Sequence, residues 1–297
     1  MNLEILSKYP SGDANPTPLL FVHGAMHTAA CWDVHFLDYF AKHGYAAHGV
    51  NLRGHGSSDG REKLRWTPIA DFVDDLEEAV RQLPSPPILI GHSMGGFIVQ
   101  KYLETHDVPA AILLSSATPF GLLPTVFRVA RRRPWIFLKA NLTLSLRPFI
   151  ETTDLLREAF FSKDLPHEQL LDYWKQTQDD SYRAFLDMVA LDLPKPAKVR
   201  TRLLVLGVER DNMISTREVV ATASAYHTRA EIIPGVAHNS MLESGWKLVA
   251  DRILAWLEVT TAEKLLRPSL SRPTQDLAIP ESVPNTGVVS QLREKVA

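Results

Sequence analysis

One serine lies between glycines at a spacing that can support nucleophilic chemistry. In PILIGHSMGGF, Ser93 lies two residues from Gly91 and two from Gly95, after a short apolar run and before the helix-compatible segment FIVQKYLE. Small neighbours at these two positions permit the strained strand-to-helix turn that exposes a nucleophile, whereas the alternative is a plain glycine-rich turn. The pattern predicts Ser93 as a nucleophile at a helix N-terminus, where backbone amides favour an oxyanion.

A serine nucleophile needs a base, and the chain offers eleven histidines. His238, in PGVAHNSMLESGW, follows the last apolar run and precedes the last helical segment, which places it at the carboxyl edge of a parallel sheet. His92 is next to Ser93 but points elsewhere on so sharp a turn, and His55 in RGHGSS is expected to position the chain. His238 is therefore the predicted base.

The acid that orients this base is found by elimination. No Asp or Glu occurs between Val108 and Ile150, and the next loop at the sheet edge, GVERDNMIS, contains Glu209 and Asp211. Asp211 is the predicted acid and Glu209 the alternative. The chain order Ser93, Asp211, His238 matches the serine–acid–histidine order of one hydrolase architecture.

Apolar runs alternate with amphipathic helices over most of the chain, which predicts an α/β fold with a doubly wound, mostly parallel sheet. One helix is predicted from Thr67 to Leu83, with Thr67 as its N-cap and Pro68 in its first turn, and the last from Trp246 to Glu258. The predicted strands are a segment within residues 3–9 and the runs at residues 18–22, 46–50, 87–90, 110–116, 202–207 and 230–235.

Two segments interrupt this alternation. Residues 118–198 are rich in helix formers and aromatic residues without a clear strand, which predicts a helical cap inserted into a core of residues 1–117 and 199–259. Residues 260–297 contain four prolines and little periodicity, which predicts a flexible or surface-lying tail with a short helix near its end.

Composition limits the partners and the cellular compartment expected for this chain. The 297 residues carry a formal net charge of −2, which argues against a general nucleic-acid partner. A single cysteine excludes an intrachain disulfide, and no window resembles a secretory signal or a membrane span. These features favour the reducing cytoplasm and leave the oligomeric state unspecified.

Five motifs in order resemble those of the α/β-hydrolase fold family: FVHGAMHTAACW, NLRGHGSSDG, GHSMGG, LGVERDNM and GVAHNSML. By pattern, the nearest members are bacterial lysophospholipase and monoacylglycerol-lipase-like serine esterases, and the similarity runs from Leu19 to Glu258. The resemblance implies an oxyanion hole built from the backbone N–H groups of Ala25 and Met94, with Met26 near the pocket mouth. It implies no metal and no organic cofactor.

The sequence departs from related patterns at several points. Family members often have Asp where this chain has Asn51, a position that is generally structural. Ser93 argues against the epoxide hydrolases and haloalkane dehalogenases of the same fold, which use an aspartate nucleophile. The HGAMHTAACW stretch is also similar to the plant methylesterase and hydroxynitrile-lyase branch, although the RGHG loop and the long cap fit that branch less well.

These observations predict a serine esterase whose substrate is an ester of a hydrophobic small molecule or lipid. The same three residues also serve thioester hydrolysis, carbon–carbon hydrolysis and perhydrolysis, and a non-catalytic receptor on this scaffold is a further alternative. Arg128, Arg131 and Arg133 lie beside apolar residues. They predict a solvated basic face, weak contact of the cap with an anionic membrane surface, or contact with a phosphate-bearing substrate such as a lysophospholipid or an acyl-CoA. The cap also contains nine large apolar or aromatic residues, each expected either to pack the cap helices together or to line an acyl pocket. They are Trp135, Phe137, Phe149, Phe160, Phe161, Trp174, Tyr182, Phe185 and Met188.

Overall fold

The computed structural model describes residues 1–266, and its centre is a seven-stranded sheet. The strands are β1 (Ile5–Lys8), β2 (Leu19–Val22), β3 (Ala47–Val50), β4 (Ile88–His92), β5 (Ala111–Leu114), β6 (Leu203–Val208) and β7 (Ala230–Ile233). Their order in the sheet is β1-β3-β2-β4-β5-β6-β7, and only β1 runs antiparallel to its neighbour. The mostly parallel α/β sheet predicted from the sequence is confirmed.

Helices connect the strands. The α-helices in the described residues are α1 (Ala30–Asp33), α2 (Phe36–Lys42), α3 (Ile69–Arg81), α4 (Met94–Tyr102), α5 (Leu123–Arg132), α6 (Pro134–Thr143), α7 (Thr153–Phe160), α8 (His167–Lys175), α9 (Tyr182–Leu186), α10 (Thr216–Ala225) and α11 (Trp246–Leu266). Shorter turns are 3-10 helices at Arg61–Trp66, Arg147–Ile150 and Pro196–Lys198 and a π-helical turn at Asp187–Leu191.

Both faces of the sheet are covered, as the side chains of β2 show. Phe21 contacts the rings of Trp32 in α1 and Phe36 in α2, at centroid distances of 5.0 and 6.2 Å. Leu20 points to the other face and belongs to the hydrophobic core that includes Phe72 of α3. Because neighbouring residues of a strand face opposite sides, burial on both sides requires the continuous apolar runs seen in the sequence.

The start of α3 differs from the prediction. Thr67 does not cap the helix, because its hydroxyl donates to the Lys63 carbonyl and the helix begins at Ile69. The Ile69 N–H instead donates to the Asp187 carboxylate, at 3.0 Å. The cap is supplied from 118 residues further along the chain, so the local capping pattern could not reveal it.

The last helix is longer than predicted. α11 continues from Trp246 to Leu266, past the expected end at Glu258, because residues 262–266 are good helix formers and Pro268 is the first proline beyond them. The first compact unit of the chain is Met1–Trp256, and a second begins at Leu257. The helix expected near the end of the tail lies outside the described residues.

The segment between β5 and β6 contains α5 to α9 and, within the described residues, no strand. We refer to residues 118–198 as the cap and propose that they form an insertion into the sheet-bearing core. None of the described helices combines the length and apolar composition of a membrane-spanning segment.

Asn51, the departure from the family pattern, links three parts of the core. Its Oδ1 accepts a hydrogen bond from the Ala29 N–H, and its Nδ2 donates to the Glu4 carboxylate, both at 2.6 Å. An aspartate here would set a second carboxylate against Glu4, which disfavours it. The amide is the side chain that suits both partners.

Candidate active site

Ser93 occupies the tight turn between β4 and α4. β4 ends at His92 and α4 begins at Met94, so Ser93 is the N-cap residue. Its φ of 51° and ψ of −116° are unfavourable for a residue with a side chain. The Ser93 N–H donates to the Leu114 carbonyl at 3.1 Å, and its carbonyl accepts from the Phe97 and Ala117 N–H groups, which hold the turn in place.

The glycines on either side are required by close backbone packing. A Cβ on Gly95 would lie 2.3 Å from the Val22 carbonyl oxygen, and one on Gly91 would lie 2.5 Å from the Gly95 carbonyl oxygen. These contacts are with backbone, which cannot move aside as a flexible side chain can. The Gly-x-Ser-x-Gly spacing is therefore a steric requirement of the turn.

We expect Gly95→Ala to lower the free energy of unfolding by about 3 kcal/mol, because overpacking against fixed backbone is costly. Urea unfolding monitored by circular dichroism measures the change. Gly12→Ala is the control, because a Cβ there would meet nothing within 4 Å. Equal stability of the two variants would contradict the steric argument.

The structure brings the three predicted side chains into one hydrogen-bonded chain. His238 Nε2 lies 3.1 Å from Ser93 Oγ, and His238 Nδ1 lies 2.8 Å from Asp211 Oδ2. The side chains of His238 and Asp211 are 2% and 1% exposed, so water hardly competes for their hydrogen bond. Glu209, the alternative acid, is exposed and accepts from the Gly235 N–H at 2.8 Å instead.

Asp211 is held by backbone groups of the loop that precedes α10. Its other oxygen, Oδ1, accepts from the N–H groups of Met213 and Ile214 at 2.7 and 2.8 Å. On the opposite side, the Phe160 ring stacks on the His238 ring at a centroid distance of 5.6 Å. Both contacts fix the orientation of the imidazole relative to Ser93.

His92 supports His238 through the backbone. Its Nε2 lies 3.0 Å from the His238 carbonyl oxygen, which only accepts, so His92 carries its proton on Nε2. Burial, followed by repulsion from His238 and His27, lowers the pKa of His92 well below its ordinary value. His92 is thus a neutral donor that fixes the loop of His238, and it does not contact the Ser93 hydroxyl through a hydrogen bond.

The loop after β2 approaches Ser93 closely. A Cβ on Gly24 would lie 3.0 Å from Ser93 Cβ and 2.8 Å from His92 Nδ1, so only glycine fits there. Ala25, Met26 and Met94 line the cavity above Ser93. This places the chain segments of the two expected oxyanion donors, Ala25 and Met94, beside the hydroxyl.

Residues 19–252 match the model of a family described as the alpha/beta hydrolase family. The chain belongs to this family. The match spans strands β2 to β7 and the three side chains just described.

Individual relatives of this α/β hydrolase match different fractions of its length. The protein phosphatase methylesterase 1 of Bos taurus is 33% identical over 137 residues, which cover 43% of this chain but only 36% of that protein. The monoacylglycerol lipase of Mycolicibacterium smegmatis is 24% identical over 80% of this chain and 87% of its own length. Among solved structures, a monoacylglycerol lipase of Paleococcus ferrophilus shares the fold with a TM-score of 0.64 at 18% identity, covering 88% of this chain and all of the other.

Above Ser93, this α/β hydrolase has a cavity of about 330 Å³ whose wall is predominantly apolar. Five of the cap residues singled out in the sequence line it: Phe137, Phe149, Phe160, Phe185 and Met188. Of the other four, Trp135 is 79% exposed, Phe161 stacks on Tyr173, and Trp174 and Tyr182 donate to Ile150 and Asn141. The cap aromatics therefore divide between the cavity and the structure of the cap itself.

The cavity wall also contains a buried polar pair that the sequence did not predict, although each residue lies in one of the five motifs. His27 Nε2 and Asn239 Nδ2 lie 2.9 Å apart, and both residues line the cavity. Burial, with a smaller contribution from His238, lowers the pKa of His27 to about 4. His27 is therefore a neutral acceptor for the Asn239 amide near pH 7.

This lowered pKa predicts that His27 makes the fold less stable in acid. The unfolded chain binds a proton at His27 near pH 6.5 and the folded chain only near pH 4, so stability falls as the pH decreases between these values. Between pH 7 and pH 5, the contribution of one such histidine is about 2 kcal/mol. Urea unfolding should show wild type losing that much more stability than His27→Gln over this interval, and equal losses would contradict the assignment.

Proposed function

We propose that the protein is a serine hydrolase that cleaves carboxylic esters of hydrophobic small molecules or lipids through an acyl-enzyme intermediate. The observation that carries the proposal is the hydrogen-bonded chain Asp211–His238–Ser93, at 2.8 and 3.1 Å, which ends at the floor of an apolar cavity. A hydroxyl becomes an effective nucleophile when a base accepts its proton and a carboxylate holds that base in the required tautomer.

The steps follow from these contacts. Ser93 Oγ attacks the ester carbonyl carbon while its proton passes to His238 Nε2, and the carbonyl electron pair moves onto oxygen. The N–H groups of Ala25 and Met94 donate to that oxyanion. When the tetrahedral centre collapses, the alcohol leaves with the proton from His238. Water then attacks the acyl group by the same route, releasing the acid and restoring Ser93.

The cavity supports a substrate with an apolar acyl group of modest size. Its volume of about 330 Å³ lies near the lower end of the range for small-molecule pockets, and aromatic cap residues form much of its wall. The similarity to a monoacylglycerol lipase along most of both chains also favours a lipid-like ester.

Two measurements on the wild-type protein test the proposal. A fluorophosphonate probe should add its mass to the peptide that contains Ser93, and p-nitrophenyl acetate, butyrate, octanoate and palmitate should show an optimum at intermediate length. Labelling of Ser93 without turnover of any ester would contradict the ester assignment and direct attention to thioesters and diketones. Absence of both labelling and turnover would favour the receptor alternative.

We propose further that the outer face of α5 and α6 contacts an anionic lipid surface. Phe127, Trp135 and Leu142 are 68%, 79% and 76% exposed on these helices. Arg131 is exposed beside them and forms no ion pair within the part of the chain that the structure describes. Exposed aromatic residues next to a cation suit the interface of a bilayer that contains anionic lipids.

Vesicle sedimentation checks this surface. We expect binding to vesicles with phosphatidylglycerol but much less to pure phosphatidylcholine, and Phe127→Ser with Trp135→Ser should weaken binding at least fivefold. Val220→Ser is the matched control, because Val220 is 52% exposed on α10, outside this face. Equal binding of all three proteins would exclude the α5–α6 face as the contact.

A further inference from the structure

We propose that Asp180, a cap residue, is a positioning residue for the oxyanion hole. It holds the loop that carries the Ala25 N–H in the conformation in which that N–H can donate to the oxyanion. This inference rests on the proposed function. It gives the cap a role in the chemistry in addition to enclosing the substrate.

The cap binds both backbone groups of the residue that follows Ala25. The Met26 N–H donates to Asp180 Oδ2 at 2.6 Å, and the Met26 carbonyl accepts from the Gln178 N–H at 3.1 Å. Met26 follows Ala25 directly, so contacts that fix the Met26 backbone limit the conformations open to the residue that carries the expected donor. The cap segment 178–180 therefore controls the direction of the donor.

The backbone of Met26 needs such support. Its φ is 67°, in the left-handed region, which a residue with an unbranched apolar side chain occupies only at a cost in free energy. Such a conformation persists when surrounding contacts determine it. The hydrogen bond that the Met26 N–H donates to Asp180 and the one that the Met26 carbonyl accepts from Gln178 are those contacts.

Asp180 is itself fixed by a second loop of the core. Its Oδ2 lies 3.1 Å from His55 Nε2, and the other ring nitrogen, Nδ1, lies 3.0 Å from the Arg53 carbonyl oxygen. The side chains of His55 and Asp180 are both fully buried, so water does not compete for this contact between the RGHG loop and the cap.

The remaining contacts of Asp180 favour its ionised form. Burial alone would raise its pKa, but the charge of His55 and the hydrogen bonds from His55, Met26 and Ser181 lower it below the ordinary value. Asp180 Oδ1 accepts the Ser181 N–H at 2.6 Å, and the Ser181 hydroxyl donates to the Thr67 carbonyl at 2.6 Å. Every oxygen of the carboxylate therefore has a donor, and the segment is tied to the core on both sides.

Asp180→Asn tests the proposal. An asparagine must direct its NH₂ group at one of the donors from which the carboxylate now accepts a hydrogen bond. We expect kcat for a p-nitrophenyl ester to fall about 10- to 100-fold with KM within about threefold, because a misdirected oxyanion donor affects the transition state more than substrate binding. Affinity for a boronic acid that mimics the tetrahedral intermediate should fall in parallel with kcat.

Asp187→Asn is the matched control. Asp187 is also a buried cap carboxylate that accepts a core amide, that of Ile69 at 3.0 Å, and it also pairs with a cation, Arg183. It therefore ties the cap to α3 without contacting the loop of Ala25. We expect it to lower the melting temperature as much as Asp180→Asn does while leaving kcat within about twofold of wild type.

Hydrogen exchange of the Met26 amide provides a readout independent of turnover. It should be about tenfold faster in Asp180→Asn and unchanged in Asp187→Asn. Unchanged kcat in Asp180→Asn, or equal losses of kcat in both variants, would overturn the inference while leaving the proposed function intact. If wild type hydrolyses no ester, the proposed function fails, and unchanged exchange at Met26 would then overturn the positioning role by itself.

A second variant tests the inference if Asp180→Asn folds poorly. His55→Gln keeps a donor toward Asp180 but loses the contact of the ring with the Arg53 carbonyl. We expect kcat to fall about 3- to 10-fold, again with little change in KM. A wild-type kcat in this variant, with Met26 exchange unchanged, would also overturn the inference.

Discussion

Replacement of Ser93 by alanine is expected to lower kcat for ester hydrolysis by at least about 10⁵-fold, because Ser93 carries the only hydroxyl within hydrogen-bonding distance of His238 Nε2 among the described residues. The expected residual rate comes from a bound water activated by His238 and from the oxyanion hole. Hydrolysis of the best p-nitrophenyl ester, followed by absorbance at saturating substrate, measures the change.

The stability of this variant serves as its control. The Ser93 hydroxyl has one hydrogen-bond partner among the described residues, His238, and alanine tolerates the turn about as well as serine does. The melting temperature should therefore change little. A Ser93→Ala protein that is folded and retains a tenth of wild-type activity would exclude Ser93 as the nucleophile.

The second large effect is expected for Asp211→Asn, with a loss in kcat of about 10⁴-fold. The N–H groups of Met213 and Ile214 donate to Asp211 Oδ1, so an asparagine will place its carbonyl oxygen there and turn its NH₂ group toward His238 Nδ1. The imidazole must then accept at Nδ1 and carry its proton on Nε2. That tautomer donates to Ser93 and cannot remove its proton.

Glu209→Gln is the control for this prediction. Glu209 lies two residues from Asp211 in the same loop, and its carboxylate binds only the Gly235 N–H among the described residues. We expect kcat within about threefold of wild type. A large loss in Glu209→Gln with normal activity in Asp211→Asn would assign the acid to the alternative residue.

The strands were predictable because burial on both faces of a parallel sheet favours short, predominantly apolar runs. Residues 18–22, 46–50 and 87–90 were expected as strands, and β2, β3 and β4 lie within one or two residues of those limits. The ends of helices were less predictable, because distant groups cap them. Asp187 caps α3 in place of Thr67, and α11 continues eight residues past its predicted end.

The three side chains of the site were identifiable for a related reason. In a parallel sheet, the carboxyl ends of all strands meet at one edge, so residues that follow separate strands converge there. Ser93 follows β4, Asp211 follows β6 and His238 follows β7. The motifs fixed which loops meet, but not which of Glu209 and Asp211 reaches His238. That choice depends on the course of the loop after β6, which brings the Asp211 side chain inward and leaves Glu209 exposed.

The sequence by itself determined the alternation of strands and helices, the turn at Ser93 and the chain order of the three residues, because each depends on neighbours a few positions apart. Only the tertiary structure decided the partners of Met26, whose N–H donates to Asp180, 154 residues further along the chain. It also decided which cap aromatics line the cavity. Contacts of this kind depend on how residues 118–198 fold against the loops at the sheet edge, and no local spacing or composition records that geometry.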